Sequence, residues 1–114
     1  MNTDELHPIS KDLIDLNKRT FQGREYDLAY HALMAALHCA RSLKHIPYLL
    51  HVQQIAKEEL VWIDAHDPEY EHSTPSTATR SHPSIFHTLA VQANAVVTLL
   101  AIRARTLRAV FRIA

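Results

Sequence analysis

Only one glycine, Gly23, occurs in the 114 residues of this chain. β-Hairpins and β-bulges need glycine where the backbone φ angle is positive, whereas helical bundles need few glycines. The five prolines lie between the segments of helical periodicity or at their first residue, where proline can begin or end a helix without breaking it. These prolines are Pro8, Pro47, Pro68, Pro75 and Pro83. The sequence therefore predicts an all-helical fold.

Apolar residues recur at helical spacing in four segments. The predicted helices cover residues 8–20, 24–44, 47–65 and 84–113. In the first helix, Ile9, Leu13 and Leu16 share one side, which we expect to face the core. The connection between the second and third helices is very short, so these two helices are expected to lie antiparallel. A chain of this length forms one domain, and we predict a compact antiparallel four-helix domain spanning residues 1–114.

A polar segment rich in serine, threonine and proline separates the third and last helices at about residues 67–83. Connections of this length without secondary structure are uncommon inside compact domains. We expect this loop to be either mobile or functional.

The formal net charge is zero, which gives no overall attraction to nucleic acid or membranes. All 12 acidic residues nevertheless lie between Asp4 and Glu71, and the five basic residues that follow Glu71 are all arginines. Two interpretations are open. The opposite charges neutralise each other inside the fold, which we prefer, or the arginines form a surface that binds an anion.

The single cysteine, Cys39, excludes an internal disulfide and a thiolate metal cluster within one chain. The N-terminus lacks the basic and then apolar pattern of a secretory signal. We therefore expect a cytoplasmic location. The apolar segment 85–102 carries several polar side chains, so we do not expect it to span a membrane. These polar residues are His87, Thr88, Gln92, Asn94 and Thr98.

The last predicted helix is apolar almost all round between residues 95 and 102, which suggests a second contact surface. We predict that its apolar stripe, which includes Leu89, Val96, Leu100 and Leu107, supports self-association into a homo-oligomer. The groove between the second and third helices is the other expected contact surface.

Three arginines, Arg105, Arg108 and Arg112, lie on the side of this helix opposite the stripe. They could bind an anion or an acidic partner. They could equally form a solvated helix end that is stabilised by the helix dipole.

Glu59 falls on the core-facing line of the third helix, and Arg103 falls on the apolar stripe of the last helix. A buried carboxylate needs a partner, and arginine is the usual one. We predict an ion pair between Glu59 and Arg103, either within one molecule or between subunits. A carboxylate in a ligand pocket is the alternative.

Three histidines, His31, His38 and His45, recur every seven residues on the second helix. Neighbouring members are about 10 Å apart along the helix axis, which is too far to share one metal ion. A solvated polar face is the preferred interpretation; a pH-sensitive surface or a metal site between subunits is the alternative. No metal site or cofactor is predicted. The motifs of nucleophilic catalysis, phosphate binding and dinucleotide binding are missing.

Part of the chain, Gly23–Ala56, resembles a helical hairpin of the tetratricopeptide repeat family. The matching residues are Gly23, Tyr26, Ala29, Ala36 and Leu37. The small alanines would allow the helices to approach closely, and the glycine would permit the sharp turn. The resemblance implies a repeat-like module whose family binds other proteins, although no 34-residue repeat is visible here.

A second resemblance is to helical bundles of the HEPN type, which bind nucleotides or cleave RNA. These proteins carry an arginine followed by a histidine near the start of a late helix, and Arg80 and His87 are similarly placed. The resemblance implies that Arg80 stabilises the transition state and that His87 transfers the proton.

We therefore predict a non-enzymatic, self-associating module for protein–protein interaction, with an unidentified protein partner and contact surfaces on the last helix and in the groove between the second and third helices. Neither nucleic acid nor a membrane is the expected partner. The alternative function is that of a HEPN-type ribonuclease or nucleotide-binding bundle that uses Arg80 and His87.

Overall fold

The computed structural model describes residues 8–113, with side chains for residues 8–112. It contains five helices: α1 Pro8–Gln22, α2 Tyr26–Leu43, α3 Ile46–His66, α4 Thr74–Ala78 and α5 Ile85–Ile113. No strand occurs between residues 8 and 113. The predicted all-helical class is thus confirmed, and the bounds of the four long helices lie within two residues of those predicted.

The chain reverses between α2 and α3 through two adjacent residues. Lys44 ends α2 in the left-handed conformation, with φ 53°, and its N–H bonds to the carbonyls of Ala40 and Arg41. His45 precedes α3, and its Nδ1 accepts a hydrogen bond from the Tyr48 N–H at 3.1 Å. Pro47 occupies the first turn of α3, where no N–H is needed.

Replacing His45 with alanine should remove this cap and lower the free energy of unfolding by about 1 kcal/mol, because a side-chain acceptor at this position satisfies an otherwise unpaired backbone N–H. Urea denaturation measures the change. Asparagine at the same position should keep most of the stability, since its oxygen can also cap. His51→Ala, at an exposed position within α3, is the control, and an equal loss in both variants would contradict the capping role.

The turn between α1 and α2 does not need its glycine. The residue with positive φ is Arg24, at 60°, and not Gly23. A Cβ atom on Gly23 would lie 3.6 Å from the Thr20 carbonyl oxygen and 3.7 Å from that of Arg19, which are ordinary contacts. The expected role of Gly23 in permitting the turn is therefore wrong, and Arg24 adopts the less common conformation instead.

Two pairs of long helices run in opposite directions. Ser10 contacts Cys39 and Asn17 contacts Ala29, which makes α1 antiparallel to α2. In the same way, Ile63 near the end of α3 clusters with Phe86 near the start of α5. The most extensive helix pairs are α1 with α2 and α3 with α5, so the domain consists of two hairpins joined mainly through α2 and α3.

The core lies where these two hairpins meet. Its fully buried side chains include Leu33, Leu49, Val52, Ile63, Phe86 and Leu89. The face by which α1 enters this core differs from the prediction, because Ile9 and Leu16 are exposed while Ser10, Ile14 and Asn17 are buried. Two of these three residues are polar, and their hydrogen bonds attach α1 to α2 and α3.

The segment between α3 and α5 is folded. Ser73 caps α4 by accepting a hydrogen bond from the Ser76 N–H at 3.2 Å, and its hydroxyl donates to the Pro68 carbonyl at 2.6 Å. The Asp64 carboxylate accepts the Thr74 N–H at 2.8 Å, which attaches α4 to the last turn of α3. Hydrogen bonding at successive serines and threonines therefore explains the composition of this segment.

The last helix extends beyond the rest of the domain. α5 has 29 residues against 21 in α3, and every side chain from Ile102 to Arg112 is exposed. We call residues 102–112 the C-terminal arm. The arm elongates the molecule to 57 × 33 × 17 Å and raises its radius of gyration to 16.2 Å, above the value of about 13 Å for a compact domain of this length.

Candidate functional site

One line of apolar residues follows α5 along its whole length, and we call it the α5 seam. Its members alternate at spacings of four and three residues, the pattern of helices that pack side by side. They are Phe86, Ala90, Ala93, Val97, Leu100, Ala104, Leu107 and Phe111.

Only the first part of the α5 seam has a partner. Phe86, Ala90 and Ala93 are buried against the core, and Val97 and Leu100 are half-buried at its edge. In the C-terminal arm, by contrast, Leu107 is 58% exposed and Phe111 is 75% exposed. The same packing surface therefore continues beyond the N-terminal end of α3, where no other helix of the described residues covers it.

The arm carries four arginines, and their positions relative to the seam differ. Arg103 and Arg108 directly flank the seam, whereas Arg105 and Arg112 lie further round the helix. None of the four forms an ion pair with a side chain of residues 8–112. The preferred interpretation, neutralisation inside the fold, is therefore wrong for these arginines within the described chain.

A groove of about 610 Å³ lies between α2 and α5, and we call it the basic groove. Its apolar side chains include Met34, Leu37, Val96, Leu99 and Leu100. The charged and titratable side chains that line it are His38, Arg41, Lys44 and Arg103, and no acidic side chain of residues 8–112 lines it. An apolar floor with basic groups of one sign is suited to a ligand that is both apolar and anionic.

Glu59 is buried, but its hydrogen-bond partner is Asn17 rather than Arg103. The Asn17 amide donates to Glu59 Oε1 at 3.0 Å and to the Ala29 carbonyl at 2.9 Å. Burial raises the pKa of Glu59 to about 7, the Asn17 hydrogen bond lowers it, and Glu58 raises it further. Arg103 is exposed in the basic groove, so the predicted ion pair within one molecule is wrong; a pair between subunits stays a prediction.

No family model matches this chain, and no curated protein or solved structure matches it. Its function is therefore argued from its own geometry.

The four residues predicted for self-association occupy different environments. Leu89 is fully buried inside its own chain, which removes it from any contact surface. Val96 and Leu100 are half-buried, and only Leu107 is largely exposed. The expected contact surface between α2 and α3 is also covered on one side by α1, since Asn17 bonds to both helices.

Arg80 and His87, the two residues of the HEPN-type hypothesis, lie in different environments. Arg80 lies 3.7 Å from Glu71 in an ion pair. His87 is exposed and lines a surface cavity between α3 and α5 that Arg80 does not line. No contact described for residues 8–112 joins the two side chains, and the ribonuclease hypothesis gains no support from their placement.

The three regularly spaced histidines also differ in their environments. His31 is exposed beside Tyr30, and His38 is exposed at the basic groove. His45 caps α3, a structural role that its seven-residue spacing did not indicate.

One cluster that the sequence did not predict lies at the other end of the domain. Metal-ligating atoms of Asp27, Glu71 and His72 lie within 4.8 Å of one another. Asp27 accepts a hydrogen bond from the Tyr70 hydroxyl, and Glu71 pairs with Arg80. The Tyr70–Asp27 hydrogen bond attaches the segment after α3 to α2, which is a structural role. Asp27 lies more than 40 residues before Glu71 and His72, so no local motif indicates the cluster.

By length and composition, one helix of the described chain could cross a membrane, namely α5 between Ile85 and Arg112. A helix in the core of a domain can satisfy the same criteria. Phe86, Leu89 and Ala93 are buried in the core, so a spanning α5 would first have to leave it. Each arginine of the arm placed at the bilayer centre would cost about 2.5–3.5 kcal/mol.

Proposed function

We propose that this chain is a non-catalytic interaction module whose C-terminal arm binds an amphipathic helix with acidic residues from another protein. The observation that supports the proposal is the α5 seam, which is buried up to Ala93 and exposed at Leu107 and Phe111. A helix with this spacing packs against another helix, because side chains that alternate every three and four residues share one face.

The arginines of the arm define the chemistry of the partner. Arg103 and Arg108 occupy the positions beside the seam where paired helices commonly form ion pairs. No acidic residue occurs after Glu71, so the arm cannot supply the opposite charge itself. Glutamate or aspartate beside an apolar seam on the partner would complement it.

The same charges disfavour a symmetric pair of arms. In a two-fold dimer each arginine beside the seam would face a copy of the same surface, and like charges at close range are repulsive. Self-association therefore remains a prediction that competes with the proposed partner.

In this proposal, a compact four-helix domain with a tetratricopeptide-like α2–α3 hairpin is the scaffold that supports the arm. Ala29, Ala36 and Ala40 are fully buried, which favours close approach of helices. The cytoplasmic location also stays part of the proposal, on the support of the single free cysteine, Cys39.

The test uses a labelled synthetic helix that has leucine at its seam positions and glutamate beside them. A second peptide carries lysine instead of glutamate. Fluorescence anisotropy should show binding of the glutamate peptide, and Leu107→Glu should weaken it at least about tenfold. Ala109→Glu, which places the same charge on the far side of the exposed arm, should leave most of the binding.

Equal binding of both peptides would show that the partner's charge does not matter. Equal losses in Leu107→Glu and Ala109→Glu would show that the contact is only electrostatic. Either result would overturn the proposal. Sedimentation equilibrium of the chain alone provides the second readout. A dimer that Leu107→Glu dissociates would replace the proposed partner with a second copy of this chain.

A further inference from the structure

Positive charge is not distributed evenly along the basic groove. The start of α5 contacts α2 at Tyr30 and Phe86, whose ring centroids are 5.9 Å apart, and the groove follows both helices toward their ends. α2 and α5 are therefore parallel here, and Arg41, Lys44 and Arg103 are the last groove residues on each helix. Met34 and Gln92 are the first, so the groove has an uncharged end and a cationic end.

We infer that the basic groove binds a single-chain anionic amphiphile, with its carboxylate or phosphate head at the cationic end and its alkyl chain along the apolar floor. The side chains of Met34, Leu37 and Leu99 would contact the chain. Arg41, Lys44 and Arg103 would hold the head by charge-assisted hydrogen bonds, which are stronger than neutral ones.

The dimensions of the groove favour a small ligand over a protein helix. Lys44, which caps the end of α2, lies ten positions after Met34. The groove is therefore about 15 Å long in the direction of α2. A volume of about 610 Å³ lies within the usual range for small-molecule sites, about 300–1,000 Å³. An elongated groove of this size, with a mainly apolar floor and basic groups at one end, matches one alkyl chain with one anionic head.

The groove shares Leu100 and Arg103 with the seam and its flank. The two inferences are nevertheless tested with different side chains, Leu107 for the seam and Arg41, Lys44 and Leu99 for the groove. The probe is dodecanoate, used as dispersed monomers, and isothermal titration calorimetry measures its binding to the full chain. We expect saturable binding of one dodecanoate per chain. Dodecyl maltoside, which has the same chain and a neutral head, should bind at least about tenfold more weakly.

Two variants locate the site. The double variant Arg41→Gln/Lys44→Gln should weaken dodecanoate binding about tenfold because it removes two cations from the head end. Lys18→Gln/Arg19→Gln is the matched control, since it removes the same charge from exposed positions on α1 outside the groove. Leu99→Asp should abolish binding, and its helical circular dichroism should stay unchanged because Leu99 is half-exposed.

Three results would overturn this inference. The first is equal weakening in the two double variants, which would indicate general charge attraction. The second is equal affinity for dodecanoate and dodecyl maltoside. The third is binding to anionic phosphatidylserine vesicles without any binding of monomeric dodecanoate, which would assign the surface to a bilayer instead.

Discussion

Replacing Phe86 with alanine is expected to lower the free energy of unfolding by about 3–5 kcal/mol, the usual loss when a buried aromatic side chain is removed from a core. Phe86 is fully buried and clusters with Tyr26 and Ile63. Truncation would leave a cavity at the point where α5 begins to pack on α3. Equilibrium denaturation in urea, followed by circular dichroism, measures the loss.

Phe111 provides the matched comparison on the same helix. Its side chain is largely exposed on the C-terminal arm, so Phe111→Ala should change the free energy of unfolding by no more than about 0.5 kcal/mol. Comparable losses at Phe86 and Phe111 would mean that the arm packs against something in solution, and would contradict the description of the arm as free.

At pH 8, Glu59→Gln is expected to raise the free energy of unfolding by roughly 3 kcal/mol, which corresponds to a pKa displaced from 4.5 to about 7 in the folded chain. Between these two values the unfolded chain loses its proton while the folded chain keeps it, so wild-type stability falls as the pH rises. Glutamine stays neutral at every pH. Its amide also offers a donor for Asn17 Oδ1, which is buried without a hydrogen-bond partner among residues 8–112.

Urea denaturation at pH 4.5 and pH 8 tests this linkage. The difference between Glu59→Gln and the wild-type chain should be small at pH 4.5 and large at pH 8. Glu69→Gln, at an exposed position, should follow the wild-type chain at both pH values. A gain at Glu59→Gln that does not change with pH would indicate a packing effect and contradict the raised pKa.

The helices could be predicted because their evidence is local. One glycine, the placement of the prolines and the spacing of residues such as Leu33, Leu37 and Ala40 are visible within short segments of sequence. The same local evidence placed Glu59 in the core, where the structure finds it. Its partner could not be predicted, because the contact with Asn17 joins residues 42 positions apart.

The first helix shows why a face can be misassigned. Ser10, Ile14 and Asn17 repeat at spacings of four and three residues and form the buried face, but two of the three are polar. An apolar pattern favours Ile9 and Leu16 instead, and both prove to be exposed. The hydrogen bonds of Ser10 with α2 and of Asn17 with α3 explain the choice, and such bonds leave no apolar pattern in the sequence.

The sequence predicted which residue types form the candidate site, but not how they are arranged in space. The arginines Arg105, Arg108 and Arg112 and the apolar residues of the last helix are evident in the sequence. The point at which α5 loses its neighbours depends on where α3 begins relative to it, and this is a property of the assembled hairpins. The basic groove likewise combines Arg41 and Arg103, which tertiary packing alone brings to one surface.

The free arm has a thermodynamic consequence for any association through it. A helical segment of this length without tertiary contacts is only marginally stable in water, since helices shorter than about 12–15 residues gain too little from propagation to offset nucleation. α5 continues from a packed helix and so avoids nucleation, but we expect its last turns to exchange between helix and coil. A partner that binds the helical form would pull this equilibrium toward helix, and part of its binding free energy would be used in ordering the arm.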